Sequence, residues 1–99
     1  MAKIREKLAP LFEISEIGIV PLKPQGTLIA FASFIINGWF YCGGIGIHCD
    51  AASRGYRLTY PTKMLKNNQS VPLFHPINKS VANQIHAAVT AEWERLISN

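Results

Sequence analysis

The sequence predicts an α+β domain: an antiparallel β-sheet of about four to five strands with one C-terminal amphipathic helix packed on it. Three observations carry that expectation. An apolar run, LIAFASFII at 28–36, is bounded by turn residues and has the length of a buried strand. Asn37-Gly38 follows it directly, and this dipeptide favours a type I′ hairpin turn because both central residues of that turn need φ above zero. Near the C-terminus, Val81, Ile85, Ala88, Val89, Trp93 and Leu96 recur at helical spacing.

Each element can be justified in chain order. Residues 1–13 form an extension in which Ile4 and Leu8, four apart, share one helical face, and Pro10 limits such a helix to about two turns. The domain itself is expected over 14–97. ISEIGIV (14–20) alternates, with Ile14, Glu16, Gly18 and Val20 on one side and Ser15, Ile17 and Ile19 on the other. PLKPQGT reads as a loop, its Pro24 and Gly26 supplying turn chemistry. After the strand at 28–36 and its Asn-Gly turn, WFYCGGIGIHC (39–49) is the return arm, ended by DAASRG (50–55). YRLTYP (56–61) alternates as a further strand. TKMLKNNQS (62–70) is expected as an exposed basic turn around Asn67-Asn68, and VPLFHP (71–76) as a short extended segment. Pro76 cannot sit inside a helix and Asn78 is a good N-cap, so the helix should run from Lys79 to Ile97.

With 99 residues, 48% hydrophobic and 16% charged, the chain has the composition of one globular domain. No run of eighteen apolar residues is present, and the N-terminus has no apolar stretch of signal-peptide length. A cytoplasmic protein with reduced Cys42 and Cys49, and no membrane partner, is the expectation.

The stretch at 39–49 gathers both cysteines, His48 and three glycines, and invites three chemical readings. Structural zinc usually takes four ligands, whereas His48 and Cys49 point to opposite faces of a strand, so no metal site is expected. A redox pair fares no better: an odd separation of seven puts the thiols on opposite faces, about 23 Å apart at strand rise. A phosphate loop needs three glycines before a helix, but Cys49 holds the third position and no helix follows. Bulge, bend or close backbone approach remains, with Gly44 and Gly46 leaving a bare notch on one face while Ile45 and Ile47 fill the other. Nucleophilic catalysis has candidates by residue type but few orienting acids, since the chain has six carboxylates in all. His86 is expected as a solvated helix residue and His75 as a loop-orienting hydrogen-bonder. The protein is therefore expected to be non-catalytic, with no cofactor and no small-molecule substrate.

Charge gives the positive signal. The formal net charge is +4, and from Ala51 to Ala91 there are five cations (Arg54, Arg57, Lys63, Lys66, Lys79) without one Asp or Glu. Such a stretch keeps a positive field wherever its side chains emerge, which suits a polyanion.

At FHPINKSVANQIHAAVTAEWERL the chain resembles the SpoVG family, the small bacterial regulators of stage V sporulation and septation. ISEIGIVPLKPQGTLIAFASFIING looks like that family's opening hairpin, YPTK (60–63) like its basic loop, and HPIN (75–78) like the segment before its terminal helix. The resemblance covers residues 14–97. It implies a small α+β fold, a homodimer built partly by strand pairing, and regulatory binding of DNA or RNA without catalysis or cofactor. By position, Lys63 matches the basic loop residue, and Asn78, Lys79 and Ser80 match the start of the helix. The chain departs from the pattern where Gly43, Gly44 and Gly46 replace a His-Asp and a following Arg. It also has Met64 at a second basic position, and Thr27-Leu28-Ile29 where arginines are usual. Its sheet is thus less charged and more apolar.

The expected function is nucleic-acid binding by a dimer through Arg54, Arg57, Lys63, Lys66, Asn78, Lys79 and Ser80. Tyr56 and Tyr60 are available either to stack on bases or to pack in the core. The alternative is a protein–protein interaction module using an apolar sheet face or edge strand, with the glycines allowing close approach and AKIREKLAPLF docking as a short helix.

Overall fold

Ala30, Ala32 and Phe34 alternate along one strand and are almost completely buried, which fixes the side of the sheet that the rest of the chain must cover. The computed structural model of the chain describes residues 12–50, 52 and 55–98. Four strands, Ile14–Gln25 (β1), Leu28–Ile36 (β2), Phe40–Asp50 (β3) and Gly55–Thr59 (β4), form an antiparallel sheet in the order β1-β2-β3-β4. Thr62–Met64 (β5) and Ser70–Pro72 (β6) pair as a separate two-stranded hairpin, and the helix Lys79–Ile97 (α1) ends the chain. The expected α+β architecture is present, with one helix among the described residues, packed on one face of the sheet.

The core is one cluster. Ala30, Ala32 and Phe34 from β2 and Ile45 and Ile47 from β3 are buried together with Ile85 and Val89 of α1. Val81, Ile85, Val89 and Trp93 repeat every four residues, so one stripe of the helix supplies every contact with that cluster. The small side chains of Ala30 and Ala32 leave room at the sheet centre for Ile85 and Val89. Asn78 begins α1 in an extended conformation, and its Oδ1 accepts from Val81 N at 2.8 Å.

Two bulges decide which residues reach the core. In β1, Ser15 faces Ile35 while Gly18 faces Ser33, so three steps of one strand match two of the other. Glu16, with φ 51°, accommodates the extra residue. The simple alternation expected for 14–20 is therefore corrected: Ile14 joins Ile17 and Ile19 against the core. In β3, Cys42 faces Phe34 but Ile45 faces Ala32, and Gly44 takes φ 76° at the slip. This places Cys42, Ile45 and Ile47 on the core side together. The shared notch expected for Gly44 and Gly46 does not form, because the bulge gives them different parity.

The hairpin turns follow their chemistry. Asn37 and Gly38 adopt φ 56° and 69°, and Trp39 N bonds Ile36 O at 2.9 Å. The segment PLKPQ, expected as loop, continues β1 instead, and the turn is confined to Gly26 and Thr27. Pro21 and Pro24 are tolerated there because β1 is an edge strand and needs fewer amide donors. The pairing of β5 with β6 was absent from the expectation for 62–70, although the turn near Asn67-Asn68 is there, with Asn68 at φ 66°. Strands of three exposed residues carry no alternation to read.

Phe12 packs on the core, and Glu13 exchanges two backbone-directed bonds with Asn37, at 2.8 and 2.9 Å. Packing of the domain thus already includes the last two residues of the expected extension, whose residues 1–11 lie outside the described part. Among the described residues, no helix is long and apolar enough to cross a membrane.

Replacing Ile47, fully buried between β2 and β4, by alanine should lower unfolding free energy by about 3 kcal/mol in urea titration. Ile77→Ala, at a residue 90% exposed, should change it by less than about 0.5 kcal/mol.

Candidate functional site

Lys63 lies in β5 opposite Val71, and Lys66 lies in the turn that joins β5 to β6. Both are exposed. Leu65 N bonds Gln69 O at 2.7 Å and Asn67 Oδ1 accepts from Gln69 N at 3.1 Å, so the turn carrying Lys66 is closed by its own backbone. The base of this hairpin is tied by Leu73 N to Pro61 O at 2.9 Å, and Pro61 stands against the Gly44 bulge.

Asn78, Lys79 and Ser80 are exposed at the start of α1. No acidic residue occupies the first turn, so the partial positive charge of the helix end is not offset there. Arg57 is in a different place. It pairs across the ladder with His48 and alternates against core-facing Tyr56 and Leu58, so it projects from the sheet face opposite α1. Arg54 lies outside the described residues. The structure brings Lys63 and Lys66 onto one hairpin and Asn78, Lys79 and Ser80 onto one helix end, with Arg57 on the other side of the sheet.

Among the described residues the one ion pair joins Arg95 to Glu92 at 2.6 Å within α1, and Glu94 accepts from the Tyr56 hydroxyl. Arg57, Lys63, Lys66 and Lys79 have no such partner among the described residues.

The two tyrosines serve the fold. Tyr60 meets Phe74 edge to face, with centroids 6.2 Å apart, and Tyr56 packs on the core with its hydroxyl on Glu94. Of the two uses weighed for them, packing is the one observed. His75 Nδ1 donates to Pro76 O at 3.0 Å, within the segment before the helix. His86 is exposed but not merely solvated, since its Nε2 donates to Tyr56 O at 2.8 Å and ties α1 to β4.

His48 belongs to the outer sheet face. Its Nδ1 lies 2.9 Å from Thr27 Oγ1 and its Nε2 3.1 Å from Thr59 Oγ1. The missing side chain of Gly46 makes room for them: a Cβ there would sit 2.6 Å from Thr59 Oγ1 and 3.2 Å from His48 Nε2. Burial, and then the Arg57 charge, push the His48 pKa below its usual 6.5.

Cys42 and Cys49 are both free thiols. The Gly44 bulge corrects one expectation about them. Counting alternation from Ile47, Cys49 falls on the same face as Cys42, at the other end of the strand. Burial raises the Cys42 pKa, which keeps it a thiol rather than a nucleophilic thiolate. Among the described residues, no three His, Cys, Asp or Glu side chains gather closely enough to hold a metal ion.

A larger feature went unread in the sequence. An apolar groove of about 450 Å³ opens at the Asn37-Gly38 end of the sheet. Phe34, Ile36, Phe40 and Cys42 line it from the sheet, Val81 and Ile85 from α1. Tyr60 and the segment Phe74–Asn78 complete it. Its surroundings are strongly apolar, with Trp39 79%, Tyr41 74% and Ile77 90% exposed. The available signal was Trp39-Phe40-Tyr41 directly after a tight turn. Consecutive aromatics in a strand cannot all face one core.

No family model and no curated protein matches this chain.

Because His48 resists protonation in the folded protein, unfolding releases a group that takes up a proton near pH 6.5. Its contribution to stability is whole above that pH and is lost as pH falls through the lower, folded value. Urea titrations at pH 7.5 and 5 should show the loss, and His48→Gln should make it smaller.

Proposed function

We propose that this chain is a small, non-catalytic, SpoVG-like regulator that works in the cytoplasm as a homodimer and binds DNA or RNA. The observation that carries this reading is the set of cations without a carboxylate partner among the described residues, Lys63 and Lys66 on one hairpin and Lys79 at a helix start with no acid in its first turn. Such groups neutralise phosphates and release counterions, and amides at the helix end add to the attraction. Asn78 and Ser80 flank Lys79 and can donate to phosphate oxygens. A dimer doubles this surface, which compensates for a protomer of only +4. Arg57, on the opposite sheet face, would reach the same strand of nucleic acid only from the second protomer or after the ligand wraps the sheet edge.

A second reading is favoured by a separate observation. The apolar groove and its exposed aromatic surroundings suit a protein partner better than a polyanion, and a patch of that kind marks interaction surfaces. In that case the chain is an interaction module of the same fold.

Salt separates the two. A mixed pool of short DNA and RNA should be retained at about 50 mM salt and released by about 200 mM, each engaged cation adding about one unit to the slope. Lys63→Glu combined with Lys66→Glu should abolish retention without altering the melting temperature. Size-exclusion chromatography with and without an oligonucleotide reports dimer and complex together. Absence of retention at about 50 mM salt would overturn the nucleic-acid reading and leave the interaction module.

A further inference from the structure

Resting on the nucleic-acid reading above, we propose that the sheet face turned away from α1 is a platform for a single-stranded nucleic acid, whose unpaired bases stack on Tyr41 and Phe31 while Arg57 holds a phosphate. Parity places all three side chains there. Phe31 stands between the core-facing Ala30 and Ala32 and pairs with Val20 on one side and Gly46 on the other, so it projects from the outer face. Tyr41 precedes core-facing Cys42 and pairs with Ile35, which puts it on the same face. Arg57 emerges there beside His48. Both rings meet solvent, Phe31 with 40% and Tyr41 with 74% of its surface exposed.

The setting of Tyr41 favours stacking. A Cβ on Gly43 would lie 2.9 Å from Tyr41 Cε2 and 3.0 Å from its hydroxyl, so the ring leans over the bare glycine instead of standing up from the strand. Lying there and still exposed, it turns one face outward. Gly43 and Gly44 together oppose Ser33 across the ladder, and Phe31 is two residues further along β2. The two rings are thus offset by roughly 7 Å along the strand, about twice the rise per nucleotide of a stacked strand. Bases splayed from a single strand can reach platforms spaced in this way, whereas a duplex keeps its ring faces inside. Beyond Phe31, the His48 ring is held between Thr27 and Thr59 and forms the floor that leads to Arg57. Arg57 has no carboxylate partner among the described residues, and its charge complements a phosphate. Asp50, which shares this face by alternation, is turned back to accept from Ala52 N at 3.1 Å. A single strand lying here meets Arg57 directly and need not wrap the sheet edge to do so.

Fluorescence anisotropy of a labelled single-stranded thymidine 12-mer at about 50 mM salt tests this on the full chain. Tyr41→Ala and Phe31→Ala should each weaken binding at least about fivefold, and Tyr41→Phe, which keeps the ring, should leave it unchanged. Arg57→Gln should lower the salt slope by about one. A mixed-sequence 12-mer should bind more tightly as a single strand than as its duplex. Tyr41 is exposed enough that its replacement should leave the melting temperature unaltered, so its result stands even if Phe31→Ala loosens the fold. A wild-type chain that binds neither oligonucleotide overturns this platform together with the nucleic-acid reading. A chain that binds the single strand with unchanged affinity after Tyr41→Ala, or binds the duplex as tightly, overturns the platform alone and leaves the cations of the hairpin and helix start as the binding surface.

Discussion

Side-chain parity across the sheet is the constraint on which this fold rests. One helix can cover one face, so every apolar residue of β1, β2 and β3 that is to be buried must emerge on that face. Alternation alone would not achieve it. From Cys42 to Ile47 the count is odd, and without an extra residue Cys42 and Ile47 would point to opposite sides. The bulge at Gly44, in a backbone conformation that glycine adopts without strain, inserts that residue. A second at Glu16 does the same for Ile14. The sheet presents one continuous apolar surface because of two of its four register shifts, those at Glu16 and at Gly44.

The same irregularities position the surfaces. Pro61 rests against the Gly44 bulge, and the β5–β6 hairpin with Lys63 and Lys66 leaves the sheet from there. Cys42, turned inward by the slip, becomes part of the groove floor, while Gly46 on the other face admits the His48 ring between Thr27 and Thr59. The proposed polyanion surface and the apolar groove thus border a common segment, Phe74–Asn78, which runs from the hairpin to the start of α1.

Long elements with strong local chemistry were legible in the sequence. The strand at 28–36, the Asn-Gly turn and the helix Lys79–Ile97 with Asn78 as its cap all have their causes within a few residues. What escaped depends on register. Nothing local marks Glu16 as the residue that takes positive φ, so simple alternation put Ile14 on the wrong face of β1. Gly43-Gly44 announced a bulge without saying which strand neighbours would shift. Candidate cations could be counted from composition, but their division between a hairpin, a helix end and the far side of the sheet arises from the order of strands. The groove was invisible for the same reason, since Phe34, Phe40, Phe74 and Val81 come from four separate segments.

The prolines of β1 carry a consequence for assembly. Pro21 and Pro24 remove two amide donors from that border of the sheet, and the bulge at Glu16 bends it. A neighbouring chain finds no regular row of donors there to match. That flank is accordingly ill suited to taking up a further strand.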